Sequence, residues 1–401
     1  MTLRYSQPTG AEAEARRRIA ARGPITFAEF MDVALYWPDG GYYASRTAFG
    51  ASGDYYTAPL THPAFGALVA RQVGQMRVLA GPPESWWVVE AGAGAGRLSI
   101  DVLAAFAAPG IRSVAIDRCA PQPPLDRVAW VRSTGLPLRG VRGVVLANEL
   151  FDAMPVHRVT VVDGALREIR VGIGGDDRFA DVLGDPTPGT AERLAAEDVR
   201  LAEGHRGEVC LELASWFEDA AKAVDSGYLL LFDYGHDAGA HYDPSRRSGT
   251  LRTYYQHTMG MDPYAHVGRQ DITVHVDVTA LHDAAVRAGW TEAGTATQAA
   301  FLRNLGRDAM RMGIADRRDL PTAVRVANTR ALDTLAAPDG MGGFRAMAFA
   351  KGVPSDGLWG FEGGAPAYEG VVPLATPSHM PFGPAQQAYE FEVPSWEDLL
   401  R

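Results

Sequence analysis

The run Trp86-Trp87-Val88-Val89-Glu90-Ala91-Gly92-Ala93-Gly94-Ala95-Gly96-Arg97-Leu98 limits the possible folds more than any other stretch of this 401-residue chain. An apolar segment of strand length ends on a carboxylate, and a glycine-rich turn then leads into a helical pattern. That layout brings a ligand close to bare backbone at a helix N-terminus. A carboxylate beside the turn suits a ligand with hydroxyls or a cationic group better than a bare pyrophosphate. A dinucleotide fingerprint wants glycines at its first and third positions and glycine or alanine at its sixth. Counted from Gly92, the sixth position is Arg97, whose bulk opposes the close helix–strand packing a small residue permits there. The spacing Gly92-x-Gly94-x-Gly96, led by Glu90, therefore points to S-adenosylmethionine (SAM), which offers an ammonium and a ribose, and away from NAD.

The middle of the chain has an α/β rhythm. Short apolar runs at Trp86–Val89, Val114–Ile116, Val128–Val131, Val144–Ala147 and Tyr228–Phe232 read as buried parallel strands, and several end in an acid or amide: Glu90, Asp117, Asn148 and Asp233. Open α/β sheets place their ligands at such strand C-termini. Helical stretches such as Leu98–Ala107 and Ala214–Val224 lie between them, and Phe344–Ala350 reads as a late strand. Three regions depart from the rhythm. Residues 1–82 carry an amphipathic start at Ala11–Ala21 and a glycine- and tyrosine-rich loop at Gly40–Tyr56, and read as an N-terminal accessory or lid region. Arg158–Val162 and Leu166–Val171 flank Asp163-Gly164, a strong hairpin signal. Residues 353–401, rich in Pro, Gly and aromatics, form an arm that is either ordered on the protein or a partner, or mobile. The expected organisation is an accessory region over 1–82, a SAM-binding domain over 83–352 with insertions at about 156–205 and 236–285, and the arm.

Composition narrows the function classes. Forty-eight acids against 38 bases give a net charge of −10, which opposes general binding to a nucleic-acid backbone. Two cysteines, Cys119 and Cys210, are too few for a disulfide framework or a zinc cluster. No apolar run approaches the roughly 20 residues of a membrane span, and the N-terminus has no signal-peptide pattern. These features lead us to expect a cytoplasmic protein with no metal and no membrane partner.

Asp117 follows Gly96 by 21 residues at the end of the second strand. An acid there accepts both hydroxyls of a ribose. After the fourth strand comes Asn148-Glu149-Leu150-Phe151-Asp152-Ala153-Met154-Pro155-Val156-His157. Its two carboxylates and amide either orient a nucleophilic amine or serve locally, with Asn148 and Asp152 as helix caps. His157, entering the hairpin, reads as structural.

These segments, in this order, resemble a family of SAM-dependent methyltransferases that includes the mitochondrial protein-arginine methyltransferase needed for respiratory complex I assembly and many bacterial relatives. The resemblance spans roughly residues 23–350. Its other carriers are Gly23–Met31, Gly40-Gly41-Tyr42-Tyr43, Gly53-Asp54-Tyr55-Tyr56-Thr57-Ala58-Pro59, Asp233-Tyr234-Gly235-His236, Gly249–Arg252, Asp271–Asp277 and Gln298–Leu302. It implies a seven-stranded Rossmann-like class I methyltransferase sheet, a mostly helical N-terminal accessory region and a β-hairpin insertion. It further implies that Gly53–Pro59, including Thr57, folds over the cofactor and that Asn148–Asp152 faces the site. Relatives carry a glutamate where this chain has Leu60, and a small hydroxyl residue where it has Arg97. The Leu60 departure bears on the acceptor more than on SAM.

The expected cofactor shell is Gly53, Thr57, Pro59, Glu90, Gly92, Gly94, Gly96, Asp117 and Asn148. Glu149, Asp152 and Asp54 are the expected catalytic acids, with Asp271 and Asp277 as weaker candidates. A carboxylate pair suits an arginine acceptor, whose guanidinium needs its charge localised before a nitrogen can attack. The alternatives are a small-molecule methyltransferase of specialised metabolism and a non-catalytic SAM-binding assembly factor. A homodimer is compatible with the sequence.

Overall fold

The computed structural model describes residues 8–44, 57–106, 108–118, 127–256, 258–377 and 379. They fall into two compact units, one from within 1–55, 151–213 and 235–281, the other from within 56–150, 214–234 and 282–401.

The second of these is built on a seven-stranded sheet. Its strands are β1 (Trp86–Ala91), β2 (Ile111–Asp117), β3 (Ala129–Arg132), β4 (Val141–Asn148), β5 (Val224–Asp233), β6 (Thr291–Thr297) and β7 (Arg345–Lys351). Their spatial order is β6-β7-β5-β4-β1-β2-β3, with β7 antiparallel to both neighbours. The chain starts at the middle of the sheet with β1, winds outward through β2 and β3, then returns to lay β4 and β5 on the other side. The reversal between β1 and β4 is the switch point where such sheets hold ligands. β5 is buried along both faces, with Tyr228, Leu229, Leu230, Leu231 and Phe232 all at 0% exposure, as a central strand covered on two sides must be. Helices α1 (Ala64–Leu79) and α2 (Arg97–Ala105) cover one face, where the Phe65 ring meets Phe232 edge-on at 5.2 Å. Helices α3 (Leu213–Ala223) and α4 (Val278–Arg287) complete the alternation. Beyond β7, Val353, Trp359, Phe361, Tyr368, Val372 and Leu374 pack against this core, so the arm is ordered on its own protein as far as it is described.

The first unit carries the two N-terminal helices, Gly10–Arg22 and Phe27–Tyr36, started by Thr9 and Thr26, whose hydroxyls accept the amides of Glu12 and Glu29. As the resemblance implied, the N-terminal segment is mostly helical, and its helices share a core with a five-stranded antiparallel sheet into which the expected hairpin is built. Asp163 (φ +53°) and Gly164 (φ +74°) both take the left-handed conformation of a two-residue hairpin turn joining His157–Val162 to Ala165–Ile173. His157 is structural, as its sequence context suggested: its Nδ1 pairs with the buried Glu168 carboxylate at 2.7 Å. Burial opposes that charge, but hydrogen bonds from His157 and Thr187 outweigh it and hold the Glu168 pKa below its ordinary value. Among the described residues no helix is long and apolar enough to cross a membrane, and no cluster of metal-ligating side chains forms.

Gly143 on β4 lies opposite Trp87 of β1 on one side and Gly227 of β5 on the other. A side chain there would collide with the Trp87 carbonyl oxygen. Gly143→Val is expected to destabilise the protein by about 2 kcal/mol or more, as overpacking of a tight core does. Urea unfolding tests this, and an unchanged midpoint would contradict the packing.

Candidate functional site

The apolar run of β1 ends at Ala91, and the chain then turns sharply. Gly92, Gly94 and Gly96 all have positive φ (65°, 52° and 68°), a conformation that strains any residue with a Cβ. Gly92 has a further constraint, since an added Cβ would lie 2.7 Å from Leu150 Cδ1. The turn is closed by Gly96 N–H donating to Ala93 O at 2.6 Å, and Ala93 N–H ties it to Ile116 O of β2 at 3.1 Å. Gly96 precedes α2 without a side-chain cap, so the first helical amides are presented as backbone donors at the positive end of the helix. This turn of bare backbone is a cradle that a single Cβ would fill, and it fits a ligand of the SAM type.

Two acids frame the turn. Glu90, 4% exposed at the end of β1, accepts Ser99 N–H at 2.9 Å and Ser99 Oγ–H at 2.5 Å through the same oxygen, Oε2. Burial pushes its pKa up to about 7, with Ser99 opposing the rise and the nearby Asp117 and Asp101 adding to it. Asp117 ends β2, and its Oδ2 accepts Gly94 N–H at 2.8 Å, so the second-strand carboxylate lies across the glycine turn. At the end of β4, Asn148 donates through Nδ2 to Glu149 Oε1 at 3.0 Å. Glu149 N–H continues the ladder to Phe232 O at 2.8 Å, yet its φ is +50°. A non-glycine residue there costs on the order of 1–3 kcal/mol, which tends to be retained at functional positions.

The sheet unit thus brings Glu90, Gly92, Gly94, Gly96, Asp117, Asn148 and Glu149 to the C-terminal ends of three neighbouring strands. Thr57 begins a short buried helix, Ala58–Thr61, that contains Pro59 and Leu60. Gly53 and Asp54 lie outside the described residues. Asp152 belongs to the other unit, where it is 5% exposed and its carbonyl accepts Val274 N–H at 3.0 Å. Asp271, fully buried, accepts Tyr43 Oη–H and Ile272 N–H, each at 2.9 Å, and Asp277 accepts Ala280 N–H at 3.0 Å at the start of α4. Both of these weaker candidates organise local structure. Ser99 was missed: a serine in the first turns of α2 carries no sequence signal marking it as the partner of an acid nine residues earlier.

A Glu90 pKa raised from the ordinary 4.5 to about 7 means that the folded protein holds this proton longer than the unfolded chain. The stability it contributes is complete below about pH 4.5 and is lost as pH rises through about 7. Unfolding free energies of wild type and Glu90→Gln should therefore converge at low pH and diverge in favour of the variant by pH 8. A constant difference across that range would show that folding does not raise the Glu90 pKa.

Comparison with known proteins agrees with this geometry. Residues 111–296 match a family described as S-adenosyl-L-methionine-dependent methyltransferases. The mouse protein arginine methyltransferase NDUFAF7, mitochondrial, is 28% identical over 345 residues, covering 76% of each chain. The zebrafish (Danio rerio) protein of the same name is 28% identical over 366 residues, covering 81% of this chain and 83% of that one. A Burkholderia thailandensis protein solved with bound S-adenosyl-homocysteine is 32% identical, with a TM-score of 0.78 over 87% of this chain and 94% of that one. The chain belongs to this family of SAM-dependent methyltransferases.

Proposed function

We propose that this enzyme transfers the methyl group of SAM to a guanidinium nitrogen of a protein arginine, with Glu149 orienting the acceptor. Two observations support the reading. The curated relatives named above are protein arginine methyltransferases, and Glu149 is an acid in left-handed backbone at the end of β4, held by Asn148. Bound SAM supplies an activated methyl group, so the protein's task is alignment and electrostatics. A guanidinium with a pKa above roughly 12 is a poor nucleophile while its charge is delocalised. A carboxylate hydrogen-bonded to one side of the fork localises that charge and frees the opposite nitrogen to attack. On this reading the turn glycines admit the cofactor, and Asp117 exchanges its hydrogen bond to Gly94 for the ribose hydroxyls. A small-molecule acceptor is the second reading. It draws on Leu60, which is 8% exposed and apolar where relatives carry a glutamate.

Incubation with labelled SAM and cell extract separates the two readings. Label recovered as methylarginine after protein hydrolysis supports the first, and label confined to small molecules supports the second. Calorimetric titration should show that SAM binds and NAD does not. Gly94→Val should abolish SAM binding, and Asp117→Ala should weaken it by about 1–3 kcal/mol, the value of hydrogen bonds to a charged group. An unchanged Kd in folded Asp117→Ala would make Asp117 structural only.

Glu149→Gln keeps shape and loses charge. It should lower turnover by about tenfold or more, within the range of groups that handle protons, while leaving SAM affinity nearly intact. Parallel collapse of both would place Glu149 in the cofactor shell, and no change in either would remove it from the site.

A further inference from the structure

Arg97 departs from the family resemblance and the C-terminal arm lies beyond it, and one buried carboxylate joins the two. Arg97, the first residue of α2, pairs through Nη2 with Asp101 Oδ1 at 3.0 Å. The other oxygen, Asp101 Oδ2, meets His379 Nε2 at 3.0 Å. Asp101 is 7% exposed and His379 3%. The tautomer follows from the other ring nitrogen. His379 Nδ1 faces the Thr376 amide at 3.2 Å and the Thr376 hydroxyl at 2.9 Å. Accepting that amide leaves Nδ1 bare, so the ring proton sits on Nε2 and is donated to Asp101.

The arm reaches this point along α1. Gln75 Oε1 accepts Trp359 N–H at 2.9 Å, Gln72 Oε1 accepts Gly360 N–H at 2.7 Å, and Arg71 Nη2 donates to Pro366 O at 2.6 Å. Ala375 N–H then donates to Asn328 Oδ1 at 2.8 Å, an oxygen that also takes His62 Nε2 at 2.9 Å. His62 directly follows the Ala58–Thr61 helix, and burial holds its pKa down at about 4, so this ring is neutral. As far as it is described, the arm thus makes two contacts here: Ala375 to Asn328, which also holds the His62 ring, and His379 to the helix that starts at the glycine turn.

We propose that His379 is a positioning residue for the cofactor site: by holding Asp101 it fixes Arg97 and the first turn of α2, and so sets SAM affinity. Without the ring, Asp101 Oδ2 is a buried carboxylate oxygen lacking its donor, a costly arrangement that relaxes by rotating the carboxylate. Gly66 restrains how it can move, because any atom added at Gly66 would collide with Asp101 Cβ. The available relaxation breaks the Arg97 pair and loosens the start of α2.

The test is a double-mutant cycle on the full-length protein, read as SAM Kd by calorimetry. Wild-type titration comes first, so that failure of SAM binding itself is distinguished from failure of this inference. His379→Ala should raise the SAM Kd roughly tenfold, as expected for loss of a buried hydrogen bond to a charged group. Turnover at saturating SAM should stay within about twofold, because the reacting groups are untouched. His379→Gln, whose amide still donates, should restore most of the affinity. His379→Ala combined with Arg97→Ala should bind no more weakly than the weaker single variant, since both act through Asp101. If His379→Ala does not fold, His379→Asn, too short to reach Asp101, takes its place. Hydrogen exchange at Leu98–Val102 should be faster in the Ala or Asn variant than in wild type. An unchanged Kd, or effects that multiply in the double variant, overturns the proposal.

Discussion

The contact on which the rest of the site depends is the one between Glu90 and Ser99. A central parallel strand delivers a carboxylate to its end, and a single oxygen of that carboxylate accepts both the amide and the hydroxyl of a residue in the following helix. This closes the glycine turn from behind. The turn can then be made of residues that contribute no side-chain packing, because its two ends are already fixed to each other. Its three glycines at positive φ leave the backbone open, while Asp117 from the neighbouring strand crosses it through Gly94. A buried acid with a raised pKa is costly to keep ionised, and Ser99 is what reduces that cost.

The parts of this arrangement that were legible in the sequence are those governed by local periodicity and backbone conformation. β1, β2, β4 and β5 stand out as apolar runs because a strand buried on both faces has no polar positions to interrupt it. The glycine spacing is visible because only glycine tolerates three left-handed positions within five residues. The Asp163-Gly164 turn was readable for the same reason. Long-range pairings were not: Ser99 on Glu90, His379 on Asp101 and Asn328 on His62 join residues 9, 278 and 266 positions apart. Nor was the five-stranded sheet of the first unit, which joins residues 25–26 to strands within 157–209.

Both units use the same device of polar groups buried in pairs. Glu168 takes His157 and Thr187 in the first unit, while Asp101 takes Arg97 and His379 in the second. Each carboxylate is satisfied on both oxygens, which is what makes a buried charge tolerable and fixes the geometry of the elements carrying it. Glu149, at a strand end beside the glycine turn, combines a left-handed backbone with a hydrogen bond from the adjacent Asn148.

The most direct test of this account is diffraction from crystals of the protein grown with S-adenosyl-homocysteine. The account predicts the ligand against the Gly92–Gly96 backbone, with its ribose hydroxyls on the Asp117 carboxylate. Density for the ligand elsewhere, or an Asp117 still bonded to Gly94 and out of reach of it, would contradict the account.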